Sequence, residues 1–194
     1  MTILSDFTGK AIIVSAPSGA GKTTLIKRLL ETAIPVVFSI SACSRKPREN
    51  EINGRDYYFL TLDEFKAEIQ NDSFIEWEEV YENNFYGTLK KEIDSIWELR
   101  KHVIFDVDVL GGIALKKYFG IDALSIFIKP PSIEVLSERL QNRKTENDAS
   151  LNSRIKKSKK EMKYINHFDC IIENNDLNDA SNNIIQEVEK FIFK

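Results

Sequence analysis

Apolar residues along the chain fall into short unbroken runs separated by amphipathic stretches. The runs are "AIIVSA" at 11–16, "VVFSI" at 36–40, "HVIFDVD" at 102–108, "ALSIFI" at 123–128 and "CIIE" at 170–173. Runs this short, without polar alternation, are the pattern of strands buried on both faces. Helical periodicity lies between most of them: "KTTLIKRLLE" from Lys22, "VLGGIALKKYF" from Val109, "SIEVLSERLQNR" from Ser132 and "LNDASNNIIQEVEKFIF" from Leu177. Such alternation predicts an α/β fold, a parallel sheet with helices on both faces.

Two stretches break the alternation. Residues 41–98 contain the charged, turn-rich "RKPRENEINGRDYYFLT" and two helical segments, "TLDEFKAEI" and "GTLKKEIDSIWEL". Thr61 and Glu64 have capping-box spacing at the first of these helices. "DYYFL" and "SFIEWEEV" read as strands, so an inserted, partly β subdomain is expected over 41–98. The second stretch, "NRKTENDASLNSRIKKSKKEMKYI" at 142–165, places Leu151, Ile155, Met162 and Ile165 at helical spacing and predicts one long helix after a turn. The organisation expected is therefore a core of 1–40, 99–136 and 166–194, an insertion at 41–98 and a helical lid at 137–165.

Composition narrows the partners. The 194 residues are 42% hydrophobic and 29% charged, with 27 Lys+Arg against 30 Asp+Glu for a net charge of −3. That balance gives no global basic field for nucleic acid or an anionic membrane, so any anion site is local. The N-terminus lacks a basic segment ahead of an apolar run, and no stretch has bilayer-spanning length, so a soluble cytoplasmic protein is expected. Cys43 and Cys170 lie far apart without C-x-x-C spacing and read as two small buried residues.

Local chemistry begins with "SAPSGAGKTT", residues 15–24, between a predicted strand and a predicted helix. That context gives meaning to a phosphate loop of the pattern G-x-x-x-x-G-K-S/T. The loop expected at the phosphates is Ala16, Pro17, Ser18, Gly19, Ala20, Gly21, Lys22, Thr23 and Thr24, in which Gly19 and Gly21 can take backbone angles closed to other residues and let consecutive N–H groups, Pro17 having none, point at phosphate oxygens. Lys22 is placed to neutralise the β and γ phosphates of a nucleoside triphosphate, Thr23 to ligate Mg²⁺, and the helix N-terminus adds its positive end. Ala16 stands where the pattern has its first glycine, which is harmless if its φ is negative.

The next segments bear on the acceptor. In "SISACSRKPRENEINGRDYYF", residues 39–59, Arg45 and Arg48 flank Pro47 and Tyr57 follows, a set suited to a dianionic phosphomonoester. "FIEWEEVYENNFYGT" supplies Glu76, Tyr86 and Thr88. A carboxylate can accept from two adjacent N–H donors, which guanine presents and adenine does not, and unpaired buried groups would reject the wrong base.

These residues resemble the guanylate kinase family through nearly the whole chain. The family segment S-x-S-x-x-x-R-x-P-R-x-x-E-x-x-G-x-x-Y falls on Ser39, Ser41, Arg45, Pro47, Arg48, Glu51, Gly54 and Tyr57. The resemblance implies ATP and GMP as substrates; whether dGMP also serves as acceptor, and whether the chain works as a monomer or a homodimer, the sequence leaves open. It implies Arg45, Arg48, Tyr57 and Tyr86 on the GMP phosphate, and Ser41, Glu76, Thr88 and Asp108 around the guanine. Cys43-Ser44 replaces the family's usual paired threonines, and Asn50 replaces a glycine, a position where Asn tolerates left-handed angles.

"VIFDVDVLGG", 103–112, sets Asp106 and Asp108 at the C-terminal end of a strand, where open α/β sheets bind ligands. Asp106 suits the orientation of Mg²⁺-bound water or of the incoming phosphate; Leu110 stands where the family usually has glutamine. "RLQNRKTE" resembles the family's R-x-x-x-R-G-T-E lid, with Lys144 for glycine, which implies Arg143 and Arg154 as catalytic lid arginines beside Lys22, Arg45 and Asp106. "IIENNDLNDA" resembles the adenine-side loop and implies Asn175 at the ATP base. Two rivals share these features: a P-loop kinase for another small phosphate ester, and the non-catalytic guanylate-kinase-like binding module, which typically lacks a working ATP loop.

Overall fold

A computed structural model describes residues 7–141 and 148–194. In chain order the strands are β1 (Ala11–Ser15), β2 (Val36–Phe38), β3 (Ala42–Cys43), β4 (Tyr58–Phe59), β5 (Phe74–Tyr81), β6 (Asn84–Leu89), β7 (His102–Val107), β8 (Ala123–Lys129) and β9 (Cys170–Glu173). The α-helices are α1 (Lys22–Leu30), α2 (Leu62–Gln70), α3 (Lys90–Glu98), α4 (Val109–Phe119), α5 (Ile133–Gln141), α6 (Asp148–Glu161) and α7 (Leu177–Ile192).

The fold is α/β, with a five-stranded parallel sheet in the order β2-β7-β1-β8-β9 flanked by helices. β1 pairs in register with β8, Ala11 opposite Ala123 and Ser15 opposite Phe127. Every residue of β1 is buried, as a strand covered on both faces must be. The chain forms two compact units, one containing Lys10–Pro35 and Ile104–Lys194, the other containing Val36–Val103.

In the first unit, α4 packs on β1 and β8, while α7 packs on α1 and β9. Beyond Glu161 the expected long helix tightens into a 3₁₀ segment, Met162–His167. Three residues per turn brings Met162 and Ile165 to one side, where both pack on the buried cluster Val109, Phe127 and Phe168. Cys43 is buried as expected, but Cys170 is only half-buried because β9 is the last strand of its sheet.

The second unit holds a four-stranded sheet, β4-β3-β6-β5, over a core of Phe65, Phe74, Phe85 and Leu89. Thr61 caps α2 as its spacing predicts: Glu64 N–H donates to its hydroxyl at 3.2 Å and its own N–H donates to the Glu64 carboxylate at 2.6 Å. "GTL" at 87–89, expected at the head of a helix, instead completes β6, and α3 begins at Lys90. Burial decides this, since Gly87, Thr88 and Leu89 all lie inside and pair with β5. The "DYYFL" strand contracts to Tyr58–Phe59, and β3, at two residues, is too short for any periodicity to mark. Among the described residues, no helix is long and apolar enough to cross a membrane.

Candidate active site

The phosphate loop runs from the buried end of β1 into α1. Gly19 and Gly21 both have φ of 93°, the left-handed angles that the sequence requires of them. A Cβ on Gly21 would also collide with the Asn174 amide, which is buried and donates to Ala20 O at 2.7 Å. Ala20 N–H donates to Pro17 O at 3.1 Å, closing the turn. Ala16 and Asn50 are not among the described positions of positive φ, so neither missing family glycine leaves backbone strain behind. Ser18 is half-buried, and Thr23 and Thr24 are exposed at the start of α1.

Lys22 Nζ lies 2.8 Å from Asp106 Oδ1 and donates to Val107 O. Thr23 Oγ1 donates to the other oxygen of the same carboxylate, Asp106 Oδ2, at 3.4 Å. The strand-end carboxylate thus gathers the ammonium and the hydroxyl of the loop. Asp108 has left the strand: its Oδ1 accepts from Gly111 N–H at 2.9 Å and caps α4. Its Oδ2 faces Lys157 Nζ at 3.4 Å.

Helix α6 contributes from its second and third turns. Arg154 Nη1 donates to Ser18 Oγ at 3.3 Å, which brings that arginine to the loop. Lys157, one turn on, bridges Asp108 and Glu161, the latter at 3.8 Å. Burial raises the Glu161 carboxyl above the ordinary range, partly offset by Lys157. Arg143 and Lys144 lie outside the described residues. A cavity of about 300 Å³ beside the loop is lined by Gly19, Gly21, Thr24, Arg139, Asn174 and Leu177. Asn175 is exposed and donates to Glu173 at 3.3 Å, so Asn174, not Asn175, faces the loop. The tandem "NN" gave no signal as to which amide would turn inward.

In the Val36–Val103 unit, Arg45 is held on several sides. Its guanidinium forms a two-pronged pair with Glu51 at 2.6 and 2.7 Å, and its Nε donates to Tyr86 Oη at 3.0 Å. The group stacks over the Tyr57 ring at 5.0 Å, and Tyr57 meets Tyr86 edge-on at 5.9 Å. The Arg45 bond, with weaker help from Arg48 N–H, lowers the Glu51 carboxyl to about 2. Glu51 also fixes the Arg48 backbone, whose N–H donates to it at 2.8 Å, while the Arg48 residue is exposed. Burial pushes the Cys43 thiol up to about 11, which keeps it un-ionised at neutral pH.

Glu76 and Thr88 face one another across β5 and β6, and Thr88 Oγ1 donates to Glu76 Oε1 at 2.7 Å. Gly87, beside Thr88 and opposite Trp77, is obligatory, because a Cβ there would stand 2.8 Å from Glu76 O. Ser41 is half-buried, its carbonyl accepting from Tyr58 N–H at 2.9 Å. The residues expected at a phosphomonoester, Arg45, Tyr57 and Tyr86, therefore form one cluster. Those expected at the base, Glu76 and Thr88, form a hydrogen-bonded pair.

A strand, a glycine loop and a helix N-terminus, with a lysine and a hydroxyl gathered on a strand-end carboxylate, define a P-loop phosphotransferase-type α/β protein. Comparison with known proteins sharpens the class. Residues 8–193 match the guanylate kinase family model. The chain is 49% identical over 186 residues to the guanylate kinase of Porphyromonas gingivalis, covering 95% of this chain and 99% of that one. It is 46% identical over 191 residues to that of Bacteroides thetaiotaomicron, covering 98% and 94%. The crystal structure of guanylate kinase from Anaplasma phagocytophilum superposes with a TM-score of 0.77 at 27% identity, covering 97% of this chain and 89% of that chain. The chain belongs to the guanylate kinase family, whose members are nucleoside monophosphate kinases, ATP:GMP phosphotransferases.

Proposed function

We propose that this protein transfers the γ-phosphate of ATP to GMP, giving ADP and GDP, as a cytoplasmic enzyme of purine nucleotide metabolism. The observation that carries the reading is the coexistence of a complete phosphate loop with the Arg45–Tyr57–Tyr86 cluster in one family member. A binding module that only captured phosphorylated ligands would have no use for Lys22 and Thr23 gathered on Asp106. The Glu76–Thr88 pair favours a base-reading pocket over an acceptor that lacks a base.

The donor set fits Mg²⁺. Thr23 and Asp106 offer hard oxygens next to the loop, and among the described residues no group of three His, Cys, Asp or Glu could hold a metal by itself. Mg²⁺ typically uses one or two protein oxygens with water and substrate phosphates. Bound there with ATP, it would offset charge on the β and γ phosphate oxygens.

The remaining steps belong to the chain's own residues. Loop N–H groups and Lys22 hold the β and γ phosphates, and Arg154, with Arg143, covers the transferring group. Arg45, Arg48, Tyr57 and Tyr86 hold the GMP phosphate. One of its oxygens forms the new bond to Pγ as the bond from Pγ to the bridging oxygen of ADP breaks. The attacking phosphate oxygen is already ionised, so no general base is needed. Glu76 accepts from guanine N1–H and the exocyclic amine, with Ser41, Thr88 and Asp108 around the ring. Closure of the 41–98 insertion and the 137–165 lid over both nucleotides excludes water that would hydrolyse ATP.

Steady-state ADP formation from ATP, Mg²⁺ and GMP tests the reading. The wild-type chain turns over, and Arg45→Ala loses GMP phosphorylation while still binding ATP. Undiminished phosphorylation in Arg45→Ala would remove that residue from the acceptor site.

A further inference from the structure

Glu92 has no place in the sequence motifs above, yet it is 9% exposed and makes two hydrogen bonds. From the first turn of α3, its Oε1 accepts from Ile40 N–H at 3.0 Å and its Oε2 accepts from Tyr58 Oη at 2.8 Å. Each contact adjoins a residue proposed to touch GMP. Ile40 precedes Ser41, Tyr58 follows Tyr57, and α3 begins directly after β6, which carries Tyr86 and Thr88.

The same segments are already paired by backbone. Tyr58 N–H donates to Ser41 O at 2.9 Å, Ala42 stands opposite Tyr58 in β3 and β4, and Ala42 also stands opposite Gly87 in β6. Backbone pairing fixes the order of the strands, but it does not tie the turn into β3 to the helix behind it. Glu92 supplies that tie. A carboxylate is costly to bury unless its oxygens are hydrogen-bonded, and here each oxygen has its own donor. Burial, with the neighbouring Glu92 carboxylate, pushes the Tyr58 phenol up to about 12, so it remains a donor at neutral pH.

We infer that Glu92 is a positioning residue of the acceptor pocket, joining the Ile40–Ser41 turn, the Tyr57–Tyr58 strand and α3 so that Ser41 and Tyr57 are presented to GMP together. The inference rests on the reading of those residues as the GMP site.

The test is a steady-state comparison of Glu92→Ala, Glu92→Gln and Tyr58→Phe, with KM for GMP, KM for ATP, kcat and the thermal midpoint measured for each. Glu92→Ala leaves the Ile40 N–H and the Tyr58 hydroxyl without their acceptor and raises KM for GMP about tenfold, with kcat and KM for ATP unchanged. Glu92→Gln restores KM, because its carbonyl oxygen accepts from Ile40 and its amide donates to Tyr58 Oη. Tyr58→Phe keeps the Ile40 bond and raises KM for GMP less than Glu92→Ala does. If Glu92→Ala fails to fold, the other two variants decide. An unchanged KM for GMP in Tyr58→Phe, a Glu92→Gln enzyme impaired in GMP binding, or parallel rises in both KM values would overturn the inference. A wild-type chain inactive toward GMP would instead sink the functional reading beneath it.

Discussion

At the phosphate loop the shape is held in the backbone: Gly19 and Gly21 carry left-handed angles, and a single buried amide, Asn174, braces Ala20. In the Val36–Val103 unit the shape is held by side chains in pairs, Arg45 on Glu51 and Tyr86, Thr88 on Glu76, and Tyr58 on Glu92. The contrast follows from what each site is proposed to recognise. Phosphate oxygens are read by any convergent set of N–H donors, which a tight turn provides without regard to most side chains. Rejecting the wrong base requires donors and acceptors fixed one by one, and each must be anchored by a partner. Substitutions should therefore act through conformation on one side and through lost partners on the other.

The largest effect is expected where the donor site does depend on a side chain. Lys22→Ala removes the cation aimed at the transferring charge and leaves Asp106 without it, so kcat falls roughly 10²–10³-fold while the far-UV spectrum stays native. A loss confined to KM for ATP would mean that Lys22 binds the ground state only.

Gly21→Ala breaks the loop through conformation. Its φ of 93° and the Asn174 amide in the path of a Cβ oppose any side chain. Strain of about 1–3 kcal/mol should lower the thermal midpoint by about 3–10 °C and weaken ATP binding, leaving GMP affinity intact. Calorimetric titration with each nucleotide separates the two sites.

On the acceptor side, Glu51→Gln loosens Arg45 and should raise KM for GMP about tenfold without changing KM for ATP. It also alters the acid limb of stability. The Glu51 carboxyl lies near 2 in the folded chain against an ordinary 4.5, so its pairing stabilises the fold above about pH 4.5 and is lost as pH falls toward 2. Urea unfolding at successive pH values should show a shallower loss for Glu51→Gln across that window. An identical slope in both proteins would mean that the pair is no tighter than its unfolded counterpart.

The smallest effect is expected at Ala16, whose φ needs no glycine. Ala16→Gly should cost about 0.4–1 kcal/mol through the unfolded chain and disturb ATP binding far less than Gly21→Ala does.

The same division explains what the sequence made legible. The phosphate loop is local, so "SGAGKTT" between a strand and a helix announces both its residues and its backbone. The parallel core is legible because its strands are continuous apolar runs. "GTLKKEIDSIWEL" was harder, since helical periodicity runs back into Gly87–Leu89, and only pairing with β5 makes that part a strand. The resemblance marks Arg45, Tyr57, Glu76 and Tyr86 for one pocket, but it does not say which side chains hold one another. Glu51 lies six residues from Arg45, Glu92 lies 52 from Ile40, and Lys157 lies 49 from Asp108, separations that no periodicity marks. The resemblance puts Asp108 at the guanine; its Oδ1 also caps α4, a role that depends on where the strand ends.

The central claim, that the phosphate loop delivers phosphate and the Val36–Val103 unit selects guanine, is tested most directly by initial rates of ADP formation. ATP and Mg²⁺ would be supplied with GMP, AMP, CMP, UMP or a ribose phosphate as separate acceptors, against a reaction without acceptor. The account predicts a rate with GMP far above all the others and little turnover without an acceptor. Comparable rates with AMP and GMP, or ATP hydrolysis indifferent to the acceptor, would contradict it.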